Sequence, residues 1–237
     1  MDAGDIQLWR ERLEAYLGGP RLARRERALK RDPADYFLDT RNIARIPECD
    51  IAWLFRTLEL GVLQELPDGD FLTPRRGAKE SLYWHGSSSQ RPTPVSVPIE
   101  VVISLGAIGR LIDEFGWPPD CLGSQNGKWG FDVTGYAQGS DRILLQCEVK
   151  TRPGEIDRMC AYVVARLHGL DTTGLATASQ RANWDKKIDE LLAKPPKVLW
   201  ALGPGGYGRV YRVTESQAGD LRLLPGQTAD LGYPANP

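Results

Sequence analysis

The chain has 237 residues, 41% of them hydrophobic and 26% charged, with a formal net charge of −1. That length allows one large domain or two small ones around a buried core, and the near-neutral charge excludes binding to nucleic acid through overall charge alone. Four cysteines without a C-x-x-C pair, and only two histidines (His85 and His168), argue against a zinc site or a disulfide framework. No apolar run approaches the roughly 18 residues of a membrane span, and no leader-like segment opens the chain, so a cytoplasmic protein without a membrane partner is expected.

Ile6, Leu8, Trp9, Leu13, Tyr16 and Leu17 recur at helical intervals, and Gly18-Gly19-Pro20 should stop that helix. Arg21 to Arg31 follows, with six cations and one anion, a local charge of about +5. On a helix, Arg24, Arg25 and Arg27 are candidate nucleic-acid contacts, because each neutralised phosphate releases counterions. The alternative is a solvated helix face. Helical periodicity then covers Tyr36 to Ile43 and Asp50 to Leu58. Gly61 should end the second of these helices, and two short strands flank Pro67-Asp68-Gly69. Leu60-Gly61-Val62-Leu63, leading into a wing that closes with Leu72-Thr73, resembles the last helix and wing of a winged-helix domain. The resemblance implies DNA binding or a protein-interaction module. The helix from Asp50 to Leu58 carries Arg56 as its one cation, which makes it a poor reader of base edges.

Ser87-Ser88-Ser89 with Pro92, Pro94 and Pro98 reads as a linker. The expected division is a helical, winged-helix-like domain over 1–85, a linker over 86–97, a second domain over 98–215 and a tail over 216–237. Val101, Leu105, Ile108, Leu111, Ile112 and Phe115 mark a helix closed by Gly116. A short strand and a loop should follow between Trp117 and Trp129. Gln125-Asn126-Gly127-Lys128 reads as a turn, with Lys128 a candidate nucleic-acid contact.

Phe131 to Lys150 is the most informative stretch. Two apolar runs flank Gln138-Gly139-Ser140-Asp141, the pattern of a β-hairpin. Alternation puts Phe131, Val133, Ala137, Ile143, Leu145, Cys147 and Val149 on one face. Asp132, Thr134, Tyr136, Leu144, Gln146, Glu148 and Lys150 take the other. Folding about Gly139 and Ser140 sets Asp132 opposite Cys147 or Glu148, so two carboxylates and an ammonium converge. Opposed like charges are costly without a cation, and Mg²⁺ or Mn²⁺ between carboxylates suits phosphodiester chemistry.

Asp132, followed at a strand's spacing by Glu148-Val149-Lys150, resembles the PD-(D/E)xK, or restriction-endonuclease-like, nuclease superfamily. The resemblance implies an α-β-β-β-α-β core and metal-dependent cleavage of nucleic acid. Asp132, Glu148 and a backbone carbonyl at Val149 would then hold Mg²⁺ or Mn²⁺. Lys150 would orient the attacking water, and Gln146 would position water or substrate. Glu100, with Glu114 behind it, is the candidate carboxylate from the first core helix. Phe131 stands where the family tends to have proline. Pro119-Asp120 is set aside for want of a strand to carry it, as is the helical triplet Asp185-Lys186-Lys187.

Ile156, Met159, Cys160, Val163, Val164 and Leu167 form the stripe of the next helix, and Trp184, Ile188, Leu191 and Leu192 that of another. Gln180 to Trp184 faintly resembles the Q-x-x-x-Y element of some nuclease subfamilies. Two strands should flank Gly203 to Gly208. These letters satisfy G-x-G-x-x-G, yet a strand follows where a nucleotide site needs a helix N-terminus, so no nucleotide cofactor is expected. The fold class expected is α/β, a mixed α+β sheet with a restriction-endonuclease-like core, behind a helical winged-helix-like domain. The function expected is a metal-dependent DNA endonuclease of phage defence, restriction or DNA repair. The alternative is a non-catalytic DNA-binding or regulatory protein on a degenerate nuclease fold. DNA is the expected partner, with a second copy or a defence-complex protein as further associates.

Overall fold

Two kinds of hydrophobic pattern, period 3.6 and period 2, sort the chain into helices and strands. The computed structural model describes residues 3–75, 79–87, 89–124, 130–215 and 220–234. It is a mixed α+β protein, divided into two compact units: Met1–Thr73 with Lys79–Gly109, and Pro74–Ala78 with Arg110–Pro237.

In the first unit, α1 (Ala3–Leu17) buries Leu13 and Leu17 completely. Gly18-Gly19-Pro20 ends α1, as its letters predict, and α2 (Gly19–Ala28) starts at once, so the segment bends the chain between two helices. Proline is tolerated there because the first turn has no partner for its missing N–H. Residues Tyr36–Asp39 form a strand, β1, not the helix that periodicity suggests. The cause is tertiary: a later segment supplies a parallel partner, with Leu38 opposite the fully buried Val95. α3 (Glu48–Glu59) buries Ile51, Leu54 and Phe55, and Gly61 leaves it at φ 65°. The hairpin of β2 (Gln64–Glu65) and β3 (Phe71–Leu72) follows, turning through Gly69 at φ 78°. β4 (Trp84–His85) and β5 (Thr93–Ser96) complete a three-stranded sheet of order β1-β5-β4. The segment 86–97 is therefore not a free linker: it contributes the central strand of this sheet. α4 (Ile99–Asp113) buries Val102, Leu105 and Ile108, and the division between units falls within it, after Gly109.

The second unit is built on a six-stranded sheet. Its strands are β6 (Leu122–Ser124), β7 (Val133–Tyr136), β8 (Ile143–Val149), β9 (Val198–Leu202), β10 (Gly208–Glu215) and β11 (Leu221–Pro225). Their order is β11-β10-β9-β8-β7-β6, with β8 and β9 parallel and every other pair antiparallel. A parallel pair needs a crossover, which α5 (Pro153–Leu167) and α6 (Ala178–Ala193) provide. Thr177 and Gln180 cap α6 reciprocally. Ile156, Met159, Val163, Trp184, Ile188 and Leu191 of the two helices pack on Leu199, Ala201, Leu221 and Leu223 of the sheet. Each such side chain stabilises the fold by roughly 1.5–3 kcal/mol on burial.

On the opposite face the Trp117 ring lies against Gly135, where an added Cβ would stand 2.5 Å from the indole. Only glycine allows that approach. The Trp117 Nε1–H donates to the Leu231 carbonyl at 2.6 Å. Gly203 to Gly208 joins β9 to β10 as an antiparallel turn, with Gly205 and Gly206 at positive φ. The tail after Glu215 does more than line the surface. Leu221 and Leu223 alternate inward while Arg222 and Leu224 point out, and this period of two makes β11 an edge strand. No helix among the described residues is long and apolar enough to cross a membrane.

Candidate functional site

The hairpin register decides what the site can be. Val133 pairs with Cys147, Thr134 with Gln146 and Gly135 with Leu145, before a bulge between Gly135 and Tyr136. Extending that register by one residue sets Asp132 beside Glu148. A hydrogen bond locks the arrangement: the Val149 backbone N–H donates to Asp132 Oδ2 at 2.6 Å. The Lys150 N–H in turn donates to the Leu202 carbonyl at 3.0 Å, which ties the end of the Glu148-Val149-Lys150 triplet to β9.

This face of the hairpin is not solvated. Gln146 is fully buried and Glu148 is 4% exposed, because α6 lies over them. Phe131 also departs from simple alternation. It precedes the first residue of β7 and joins the α5/α6 cluster instead of the Val133 face.

Glu148 is held by two ammonium groups. Lys150 Nζ lies 2.7 Å from Oε1, and Lys187 Nζ, from α6, lies 2.6 Å from Oε2. Lys150 Nζ also donates to the Val149 carbonyl at 2.9 Å. Lys187 Nζ donates to the Gly130 carbonyl at 2.6 Å and stands 4.8 Å from the centre of the Phe131 ring. Gln146 Nε2 donates to Glu190 Oε1 at 3.3 Å, while Gln146 Oε1 is buried with no hydrogen-bond partner among the described residues.

The electrostatics follow from burial. Desolvation first, and the Glu148 charge second, push the Asp132 carboxyl up to about 7 against the pull of the Val149 N–H, Lys150 and Lys187. Burial, with Glu148 adding to it, also raises the Glu190 carboxyl, and Lys187 opposes this. Three carboxyl groups thus face two ammoniums, an excess of acidic groups in a place where Glu148 is buried and the other four groups are half-buried.

That excess tests the fit of a divalent cation. The oxygens of Asp132, Glu148 and the Val149 carbonyl form an all-oxygen donor set of the kind Mg²⁺ and Mn²⁺ prefer. The raised Asp132 carboxyl reports burial first and the Glu148 charge second, and a cation would relieve the second. The donor chemistry fits, although lysines now engage both Glu148 oxygens and the carbonyl. Among the described residues no group of three or more His, Cys, Asp or Glu side chains is poised to hold a metal.

The other candidates fall elsewhere. Glu100 is exposed on the part of α4 that belongs to the first unit, and its carbonyl accepts from Ser104 Oγ at 2.8 Å. Glu114 pairs with Arg110 one turn away at 2.9 Å. Arg25 is corrected as a phosphate contact: it is 7% exposed, pairs with Asp70 at 2.6 Å and donates to the Asp68 carbonyl at 2.8 Å. A guanidinium so enclosed serves the fold. Arg24 is exposed and pairs with Glu65, and Arg27 is exposed. Lys128 lies outside the described residues.

Sequence reasoning passed over Lys187 and Glu190. Lys187 belongs to the triplet set aside as helical, and its signal was its place on the stripe of Trp184, Ile188 and Leu191. Comparison with protein-family models, curated proteins and solved structures returns no match for this chain.

Proposed function

We propose that the protein is a metal-dependent DNA endonuclease with a restriction-endonuclease-like core behind a winged-helix-like N-terminal region. The observation that carries the reading is the Asp132–Val149 hydrogen bond, which fixes the first carboxylate beside the Glu148-Val149-Lys150 triplet at a strand end. Part of the element order supports it: β6, β7, β8, a crossover of α5 and α6, and β9 follow one another as the β-β-β-α-β part of the superfamily's core would, with one helix added to the crossover and with β8 and β9 parallel. For the N-terminal region, α3, the Gly61 exit and the β2–β3 hairpin support a helix followed by a wing.

Asp132, Glu148 and the Val149 carbonyl would hold Mg²⁺ or Mn²⁺. When bound, such an ion supplies a more acidic water and a Lewis acid toward phosphate oxygen. Lys150 carries the ammonium that orients that water and offsets charge on the transition state. Gln146 Oε1, fully buried and unpartnered among the described residues, is an acceptor for a buried water. Arg27 and Arg24, on the exposed side of α2, supply backbone phosphate contacts.

Supercoiled plasmid incubated with Mg²⁺, with and without EDTA, tests the reading. Nicking or linearisation that EDTA abolishes, and that Asp132→Asn and Glu148→Gln each abolish, is expected. Intact plasmid under all conditions would refute it. A second reading, a non-catalytic DNA-binding or regulatory protein, draws on the two lysines that cap Glu148. Salt-dependent DNA binding without cleavage is its signature.

A further inference from the structure

A buried carboxylate needs one cation, and Glu148 has two. Lys150 is its neighbour on the same strand, whereas Lys187 is brought in by α6 and held at three points. These are Glu148 Oε2 at 2.6 Å, the Gly130 carbonyl at 2.6 Å and the Phe131 ring at 4.8 Å. Two of those anchors immediately precede Asp132. The ammonium of Lys187 therefore sits where positive charge is most in demand, on one carboxylate and against the approach to the other.

We propose that Lys187 is a tethered counter-cation, which occupies Glu148 Oε2 until a divalent cation displaces it. The proposal rests on the metal-site reading above. Two cations at bonding distance from one oxygen repel each other strongly at low dielectric, so the Lys187 contact and the metal contact exclude one another. The Gly130 carbonyl and the Phe131 face can keep the displaced ammonium in place, so exchange needs a side-chain shift and no rearrangement of α6. In the metal-free protein Lys187 adds a second counter-charge to that of Lys150 beside the buried Glu148 and the half-buried Asp132. Toward the metal it becomes a competitor at Oε2, beside Lys150 at Oε1 and the Val149 carbonyl, and it lowers the affinity.

The test is Mn²⁺ titration by calorimetry, at one pH, of the wild type, Lys187→Met and Lys187→Arg, each also melted in EDTA and in excess Mn²⁺. Lys187→Met removes both competitor and counter-charge, so it should bind Mn²⁺ about tenfold tighter or more. It should also melt lower than wild type in EDTA and gain more from Mn²⁺. Lys187→Arg keeps the charge and should bind no tighter than wild type. If Lys187→Met does not fold in EDTA, Mn²⁺ should restore the fold; failure to fold in both overturns the proposal. Wild-type Mn²⁺ binding that Lys187→Met leaves equal or weakens overturns it too, while the metal site stands. Absence of Mn²⁺ binding in all three proteins overturns this proposal and the metal-site reading together.

Discussion

Asp132→Asn should stabilise the metal-free protein at alkaline pH and destabilise it relative to wild type in Mn²⁺. The Asp132 carboxyl rises from 3.8 to about 7 on folding. A folded value above the unfolded one means that the folded state binds the proton more tightly. Its contribution to stability is full below about pH 4 and is lost as pH rises through about 7. At pH 8 the buried charge costs at most about 4 kcal/mol, at 1.36 kcal/mol per unit. Local relaxation and water entry reduce that to roughly 2 kcal/mol. Asparagine removes the charge and still offers an oxygen to the Val149 N–H, so most of that cost should disappear. For a protein of this size the gain is a rise of roughly 4–8 °C in Tm. At pH 5 the folded carboxyl is protonated while the unfolded one is ionised, so well under half of that gain should remain, and the two proteins should melt alike only below about pH 4. Mn²⁺ at a hundred times its Kd stabilises the wild type by about 2.7 kcal/mol, and Asp132→Asn forfeits most of this. Melting curves at pH 5 and pH 8, in EDTA and in Mn²⁺, check all four corners. An Asp132→Asn protein less stable than wild type in EDTA at pH 8, or one that keeps the full Mn²⁺-dependent rise, refutes the reasoning.

Lys150→Ala should abolish plasmid cleavage yet keep a Mn²⁺-dependent rise in Tm, since both carboxylates remain. Asp185→Asn, half-buried on the side of α6 that faces α5, with Tyr162 as its hydrogen-bond donor at 2.8 Å, should leave cleavage and metal response near wild type. Gly135→Ala should cost about 1–3 kcal/mol in urea unfolding, because its methyl meets the Trp117 ring. Arg25→Ala should cost roughly 3 kcal/mol by leaving Asp70 unpaired in a buried place. Arg27→Ala should leave stability unchanged and lower non-specific DNA affinity, with a salt slope reduced by about one.

The hairpin and the Asp132–Glu148 juxtaposition are legible in the sequence because strand alternation and a glycine turn are local. Gly139 takes φ 67°, and the register follows from the turn. The environment of that face is not legible. Thr134, Gln146 and Glu148 look like a solvated edge in one dimension, and only the crossover through α5 and α6 buries them. β1 fails for a related reason. Its partner β5 lies far along the chain, in a Pro-rich stretch that reads as linker, so local periodicity carried no trace of the pairing. The basic run misleads in the opposite way. Six cations within eleven residues suggest one charged surface, but a helix turns its residues through all directions, and Arg25 points inward to Asp70 while Arg24 and Arg27 face out.

Lys187 shows what such reading could still have extracted. It stands three residues after Trp184 and one before Ile188, so it shares their face of α6 and is carried toward the core. A lysine taken into an apolar interior without a partner costs several kcal/mol, so its position implies a buried anion opposite it. The strand that carries Glu148 next to its last residue supplies an acid on a face otherwise filled mostly with polar groups. Matching the two needs no structure, only the rule that a buried charge has a counter-charge. What the rule leaves open is which acid is met, because Glu190 on the next turn of α6 competes for the same ammonium. Geometry settles that choice at 2.6 Å on Glu148. It thereby turns a helical triplet that looked like a decoy into the second cation of the candidate site.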